Sequence, residues 1–212
     1  MAIDRRDIIQ ILRDENDLLK ARNRQISKKL ARSQQAFRVL NQLCDKAQTI
    51  TDSYSSAEEL STVLSQLLEI VLHASDIENG SLLLVDENSN ELEFVAVIGE
   101  SREYLMNQRV SIDTGLVGDT IRSGRPVLYS DVRSSRVWSK AIDESLDFHT
   151  QSLMCVPLKN CDTIIGAIEV VNHVEDAPFD EHDLNILMVS TRMVGLALER
   201  VEEVTLALEN SL

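Results

Sequence analysis

Ser152–Asn172 reads SLMCVPLKNCDTIIGAIEVVN, two apolar runs separated by a short polar stretch. The first run, Ser152 to Leu158, contains Pro157. Proline has no N–H to give a β-ladder, so it belongs near a strand end or at an edge. Lys159-Asn160-Cys161-Asp162 carries turn chemistry. The second run, Ile164 to Val171, is β-branched and nearly continuous, the pattern of a central strand covered on both faces. Gly166 interrupts it, at a point where a neighbouring backbone comes close. The stretch predicts a hairpin at the centre of a sheet.

Downstream, a loop from His173 to Pro178 leads to a long helix. Asp180 is placed as its N-cap, with Phe179 and Leu184 as a hydrophobic staple. Leu184, Leu187, Thr191, Val194, Leu198, Val201, Thr205, Leu208 and Leu212 repeat by threes and fours. This stripe suggests a helical partner, either the chain's own N-terminal helix or a second copy.

Upstream, DTGLVGDTIRSGRPVLYSDV (Asp113–Val132) predicts a short helix from Gly115 to Arg122. Asp113 or Thr114 would cap it, and Gly124 with Arg125-Pro126 would end it. Val127 to Tyr129 is then a strand. Val132 to Trp138 is an irregular basic and aromatic segment, and Ser139 to Leu146 a short helix that leads through His149 into the hairpin. Earlier still, Ser81–Asp86 and Leu92–Ile98 read as two strands joined by Glu87-Asn88-Ser89-Asn90. In the second, Leu92, Phe94, Ala96 and Ile98 alternate with Glu93, Val95 and Val97. Arg102 to Asn107 reads as a helical turn and Val110 to Ile112 as a short strand. A helix from Ser56 to about Ser75 presents Leu60, Val63, Leu64, Leu67, Leu68, Val71 and Leu72 on one face, and Gly80 reads as a turn residue after it.

Residues 5 to 52 contain neither Gly nor Pro and carry a heptad pattern. The a positions are Ile9, Asn16, Asn23, Leu30, Phe37 and Cys44; the d positions are Leu12, Leu19, Ile26, Ser33, Leu40 and Ala47. Asn at a position a fixes register and favours a parallel two-stranded coiled coil. Glu15 and Lys20 stand at g and e positions suited to pairing between helices. At about 1.5 Å per residue such a helix reaches roughly 60 to 70 Å. The alternative is one amphipathic helix lying on its own domain.

The 212 residues carry a formal charge of −14, which disfavours nucleic acid and anionic membranes as partners. No apolar run approaches the roughly 20 residues needed to span a bilayer. The charged N-terminus lacks a signal-peptide core, so a cytoplasmic location is expected. Cys44, Cys155 and Cys161 fit neither a disulfide framework nor a zinc site, and no metal site is expected.

Three pieces together, GSLLLVD (Gly80–Asp86), DTGLVGDTIRSGRPVLYSDV and SLMCVPL…IIGAIEVVN, resemble a GAF domain over most of residues 57 to 200. The resemblance implies an α+β, GAF/PAS-like three-layer α/β/α fold with a central antiparallel sheet of about six strands and long terminal helices. The expected organisation is a coiled-coil helix over 1–52, the GAF domain over 53–200 and an extension of the last helix over 201–212. The family binds small ligands or chromophores beneath the irregular segment and often dimerises through its terminal helices. Cyclic-nucleotide-binding members carry an N-K…F-x-x-x-D-E signature. Asn172, Phe179 and Asp183 match it, whereas His173 replaces the Lys and Leu184 the Glu, so its Lys-to-Asp ion pair is absent or replaced by a His173–Asp183 contact.

The candidate ligand-binding residues are Asp131, Arg136, Trp138, His149 and Cys155. Arg136 and Trp138 suit an anionic or planar ligand, or an ordinary solvated loop with one anchoring Trp. His149 reads as a polar pocket contact or a structural residue, and Asp131 as a turn cap or a ligand contact. Cys155 reads as a buried small hydrophobe or, less favourably, as a thiol of the kind used by GAF-fold enzymes that reduce free methionine sulfoxide. Those enzymes place cysteines ahead of this strand, and none lies between Cys44 and Cys155. No Ser-His-Asp arrangement, P-loop, HExxH or CxxC motif is present.

The sequence therefore predicts a non-catalytic signalling sensor that binds a small ligand or partner, with no cofactor identified. Leu12, Asn16, Leu19, Asn23, Ile26, Leu30, Phe37, Leu40, Leu198 and Val201 are its expected homodimer contacts. Its output lies on a separate signalling protein or elsewhere in a longer chain. A dimeric scaffold without ligand is the alternative.

Overall fold

The computed structural model describes residues 5–50, 57–75, 77–86, 88–135, 149–173 and 177–209. The chain divides into two compact units, Met1–Arg38 and Val39–Leu212. Helix α1 runs Arg5–Ile50. Within the first unit it is a bare helix. Leu12, Leu19, Ile26, Leu30 and Phe37 are each more than half exposed in the single chain, because one helix has no second surface to cover its stripe. Lys20 lies 3.7 Å from Asp17 of its own helix.

The second unit is built on a six-stranded antiparallel sheet of order β3-β2-β1-β6-β5-β4. The strands are β1 (Ile77–Asp86), β2 (Glu91–Ile98), β3 (Arg109–Ser111), β4 (Val127–Tyr129), β5 (Leu153–Asn160) and β6 (Thr163–His173). The helices are α2 (Ala57–Ala74), α3 (Arg102–Leu105), α4 (Gly115–Ser123) and α5 (Glu181–Glu209). β6 lies between β1 and β5, as its nearly continuous apolar run requires.

One face of the sheet packs under α2 and α5 through Leu64, Leu67, Leu68, Leu82, Met154, Val156, Ile168, Phe179 and Leu187. The other face packs under α3, α4 and the 3-10 turn Val132–Ser134 through Leu83, Leu92, Phe94, Val97, Val117, Leu153, Cys155 and Ala167. This is the expected three-layer α/β/α arrangement. Each fully buried Leu or Phe side chain contributes about 1.5–3 kcal/mol.

Several local expectations change. β1 begins at Ile77, so Gly80 is inside a strand and not in a turn. A Cβ there would stand 2.7 Å from Leu72 Cδ2, and its absence lets α2 settle on the sheet. Gly166 acts as the sequence suggested, since a Cβ would collide with the Leu83 carbonyl oxygen of β1. The hairpin turn is tighter than expected. Asn160 pairs with Thr163, leaving Cys161-Asp162 as its two turn residues, with Cys161 at φ 51°. Pro157 lies within β5 but past Cys155, where pairing with β4 stops, so its missing N–H costs the ladder nothing.

The simple alternation expected in β2 does not hold. Leu82 pairs with Ala96 and Leu83 with Phe94, which makes Val95 the extra residue of a β-bulge. Leu92, Phe94 and Val97 consequently share the α4 face, while Val95, Ala96 and Ile98 face the α2 side. Thr114 occupies the N-cap position of α4 but makes no capping bond; its hydroxyl donates to Ser111 O at 3.1 Å.

α5 is capped as expected. Asp180 Oδ1 accepts from the N–H groups of His182 (2.7 Å) and Asp183 (3.1 Å), and Asp183 Oδ2 accepts from Asp180 N (2.9 Å). This is a reciprocal capping box with Asp in both roles. The stripe on α5 has an internal partner over its first half. Leu187, Thr191 and Val194 are buried, and Leu184 and Leu198 pack on the domain's own core. The α5 face that carries Met188, Val189 and Leu196 is the exposed one.

Candidate functional site

The α4 side of the sheet gathers polar groups on an otherwise apolar floor. In register across five strands lie Val97, Ser81, Glu169, Cys155 and Val127. Val97 and Cys155 belong to the α4-side cluster, so this row faces α4. Ser81 is 4% exposed, Cys155 and Thr120 are fully buried, and Glu169 is half-buried. The side-chain row is spaced by the distance between strands, about 4.8 Å.

Thr120 projects from α4 and donates through Oγ1 to Leu116 O at 2.9 Å. Burial pushes the Cys155 thiol well above its ordinary pKa; the Glu169 charge adds to this, and a hydrogen bond with Thr120 offsets part of it. A thiol held this way stays protonated at neutral pH and is a poor nucleophile.

Asp131 lies two residues past the end of β4 and caps the 3-10 turn. Its carboxylate accepts from Arg133 Nε and Nη2, both at 2.8 Å, and from Arg133 N at 3.0 Å. These bonds hold its carboxyl below the ordinary carboxylate range. His149 is exposed, near enough for its charge to act on Asp131, and its carbonyl is engaged by Asn172. Cys155 is deeper, on the sheet itself. Arg136 and Trp138 lie outside the described residues, as do the short helix expected over 139–146 and the side chains of Leu40 and Val201. Among the described residues no cluster of His, Cys, Asp or Glu could hold a metal ion, and no helix is long and apolar enough to cross a membrane.

The sequence marks Asn172 as a signature match at the end of the hairpin, where the link to the long helix begins, but does not show the bonds it makes there. Asn172 sits at φ 53° near the end of β6. Its Oδ1 accepts from Gln151 N (2.8 Å) and Ser152 N (3.3 Å), and its Nδ2 donates to His149 O (2.9 Å). Val132 N donates to Gln151 O at 2.9 Å. Ser130 Oγ donates to the carbonyl of Phe179, the residue before the α5 cap, at 3.2 Å. Glu169 and Ser81 were missed, although a lone carboxylate within AIEVVN was a visible signal.

A GAF-domain family model matches residues 57–199. The chain belongs to the GAF domain family. Among curated proteins it is 25% identical over 158 residues to the dual 3′,5′-cyclic-AMP and -GMP phosphodiesterase 11 of Drosophila melanogaster. That match covers 68% of this chain but only 11% of the phosphodiesterase, so this GAF chain spans about a tenth of that relative's length. Among solved structures, the GAF domain of a phosphoenolpyruvate-protein phosphotransferase from Coxiella burnetii has a TM-score of 0.65 at 15% identity, covering 80% of this chain and 97% of that one. The free methionine-R-sulfoxide reductase of Neisseria meningitidis has a TM-score of 0.62 at 21% identity, covering 79% and 90%. The likeness to these solved structures shows the fold.

Proposed function

We propose that this GAF domain is the sensory or regulatory module of a cytoplasmic signalling system. It takes a small ligand on the α4 side of the sheet and relays occupancy through α5 and a dimer of its long helices. The observation that carries the reading is the pair of ties from the α4 side to α5: Asn172 to residues 149–152, and Ser130 to Phe179. A ligand that reorders the 149–152 segment would act on the residue from which the chain leaves for α5. Such a relay requires different ligand affinities in the two helix states. Two residues proposed for the ligand have other engagements, Asp131 with Arg133 and His149 through its carbonyl. Their part would be to shape the rim, with Arg136 and Trp138 completing it and Cys155 in the floor.

The exposed heptad positions of α1 support a homodimer through Leu12, Asn16, Leu19, Asn23, Ile26, Leu30 and Phe37. The output would sit on a separate signalling protein or on further sequence. Cyclic nucleotides enter the ligand panel because of the phosphodiesterase relative, although His173 and Leu184 depart from the signature. Redox catalysis of the reductase type is disfavoured by the buried, protonated Cys155. A thermal-shift screen over nucleotides and small metabolites tests the reading, since a ligand bound only by the folded state raises the midpoint. Sedimentation at several concentrations tests the dimer; a monomer at micromolar concentration would overturn it.

A further inference from the structure

We propose that the g and c positions of α1 form a docking face for an acidic amphipathic helix of a partner protein. This rests on the reading above that the output sits on a separate protein, and it names the chemistry of that contact. The homodimer seam uses positions a and d, yet apolar side chains also stand outside it: Ile8 at g, and Ile11 and Leu18 at c. All three are exposed, Leu18 by 70%. Positions g and c alternate by three and four residues, so they line one side of the helix. Further along the same side stand Arg22 and Lys29, both exposed. Residues 18–44 hold seven Lys and Arg and no Asp or Glu, so no acid lies three or four residues from either of them. A parallel homodimer does not neutralise them, because it sets Arg22 and Lys29 against Ser27 and Gln34 at the following e positions of the second copy. The side is apolar at its start and basic beyond, and from residue 8 to residue 29 it is about 30 Å long, the reach of one short helix. Charge complementarity calls for an acidic occupant. The apolar residues call for a helix with an apolar stripe, since a phosphate backbone would leave them in water. The unit Val39–Leu212 carries eleven Lys and Arg against thirty Asp and Glu, which repels extended polyanions such as DNA and anionic bilayers.

The test uses the full chain and fluorescein-labelled four-heptad peptides. One has Leu at a and d with Glu at e and g, the second has Lys at e and g instead, and the third is the acidic peptide scrambled. Binding is read by fluorescence anisotropy, and the chain's own assembly by sedimentation. The acidic peptide should bind about tenfold more tightly than either control, the effect of a few exposed ion pairs acting together, and added salt should weaken it. Arg22→Glu combined with Lys29→Glu should reverse the preference between the acidic and basic peptides. Leu18→Asp should weaken the acidic peptide severalfold and leave sedimentation unchanged, because position c lies outside the homodimer seam. Equal binding of the acidic and scrambled peptides, or tighter binding of duplex DNA or phosphatidylserine–phosphatidylcholine vesicles, overturns the helix as occupant. A dimer that binds no peptide overturns the face and leaves the homodimer standing. A monomer that binds the acidic peptide supports the face and overturns the homodimer, and a monomer that binds none overturns both.

Discussion

Asn172 and His149, 23 residues apart, are joined by a 2.9 Å hydrogen bond from the Asn172 amide to the His149 carbonyl, while the other end of the same amide holds Gln151 N. One side chain therefore replaces a turn of backbone ladder at the end of β6. Asn tolerates the left-handed backbone at φ 53° better than most residues do. Asn172→Ala should cost about 1–2 kcal/mol in urea unfolding, one to two net hydrogen bonds. Asn172→Gly relieves the backbone but restores none of these bonds. Both variants should speed hydrogen exchange at Gln151, and unchanged exchange would show that the latch is not needed.

Cys155 and Cys161 should respond differently to a thiol reagent in the folded protein. Cys161 is exposed in the hairpin turn and donates to Glu199 Oε1 at 3.0 Å, whereas Cys155 is buried with its pKa raised. Peptide mapping after labelling at neutral pH should find Cys161 modified and Cys155 unmodified until denaturant is added. Prompt labelling of Cys155 would reopen the redox reading.

Arg109 ties β3 to the β1–β2 hairpin, with Asp86 Oδ2 at 2.6 Å and Glu93 Oε2 at 2.7 Å. The Asp86 carboxyl falls from the ordinary 3.8 to about 2, first because Asn88 N–H donates to it and next because Arg109 does. The unfolded chain takes up that proton more readily than the folded one. The stabilisation is therefore complete above about pH 4, shrinks as pH falls, and is gone below about 2. Unfolding measured across this window should show a slope that Asp86→Asn reduces and that salt weakens, since the pair is solvent-accessible. An identical slope in the variant would refute the assignment.

Gly166→Ala places a methyl group against the Leu83 carbonyl oxygen in the sheet's centre. The backbone has nowhere to yield, so the cost should reach the upper end of about 1–3 kcal/mol for overpacking, read as a lower denaturant midpoint. A variant as stable as the wild type would mean that β1 and β6 can separate there.

Replacing Asp180 by Ala removes the acceptor for two N–H groups at the start of α5. The expected loss is about 0.5–2 kcal/mol. Asp180→Ser should recover most of it, because Ser also caps. If Ser and Ala behave alike, the cap contributes nothing measurable.

The hairpin, the two-sided burial of β6 and the α5 cap were legible because each has a local signature: turn residues, a β-branched run, Asp before an apolar repeat. Glu169 was visible as a charge in that run, but Ser81 and Cys155 reach it only through register between strands, which no single segment encodes. The stripe on α5 was legible as a stripe, and over its first half the domain's own core covers it, because periodicity describes one side of a contact and a sheet satisfies it as well as a second helix would. The tie made by Asn172 depends on a positive φ, and Asn is common enough in turns that the residue alone did not announce it.

The extra residue at Val95 has a consequence for how β2 tolerates change. Before it, the even positions Leu92 and Phe94 serve the α4 layer; after it, the odd position Val97 does, and Ala96 and Ile98 serve the α2 layer. The strand thus changes allegiance midway, with Val95 as the point of crossing. A polar scan along β2 should show its sensitive positions shift phase at that residue. Deleting Val95 would make Phe94 and Ala96 consecutive in a regular ladder with every other residue kept in its own layer, so the strand should tolerate that deletion better than the deletion of any residue beside it.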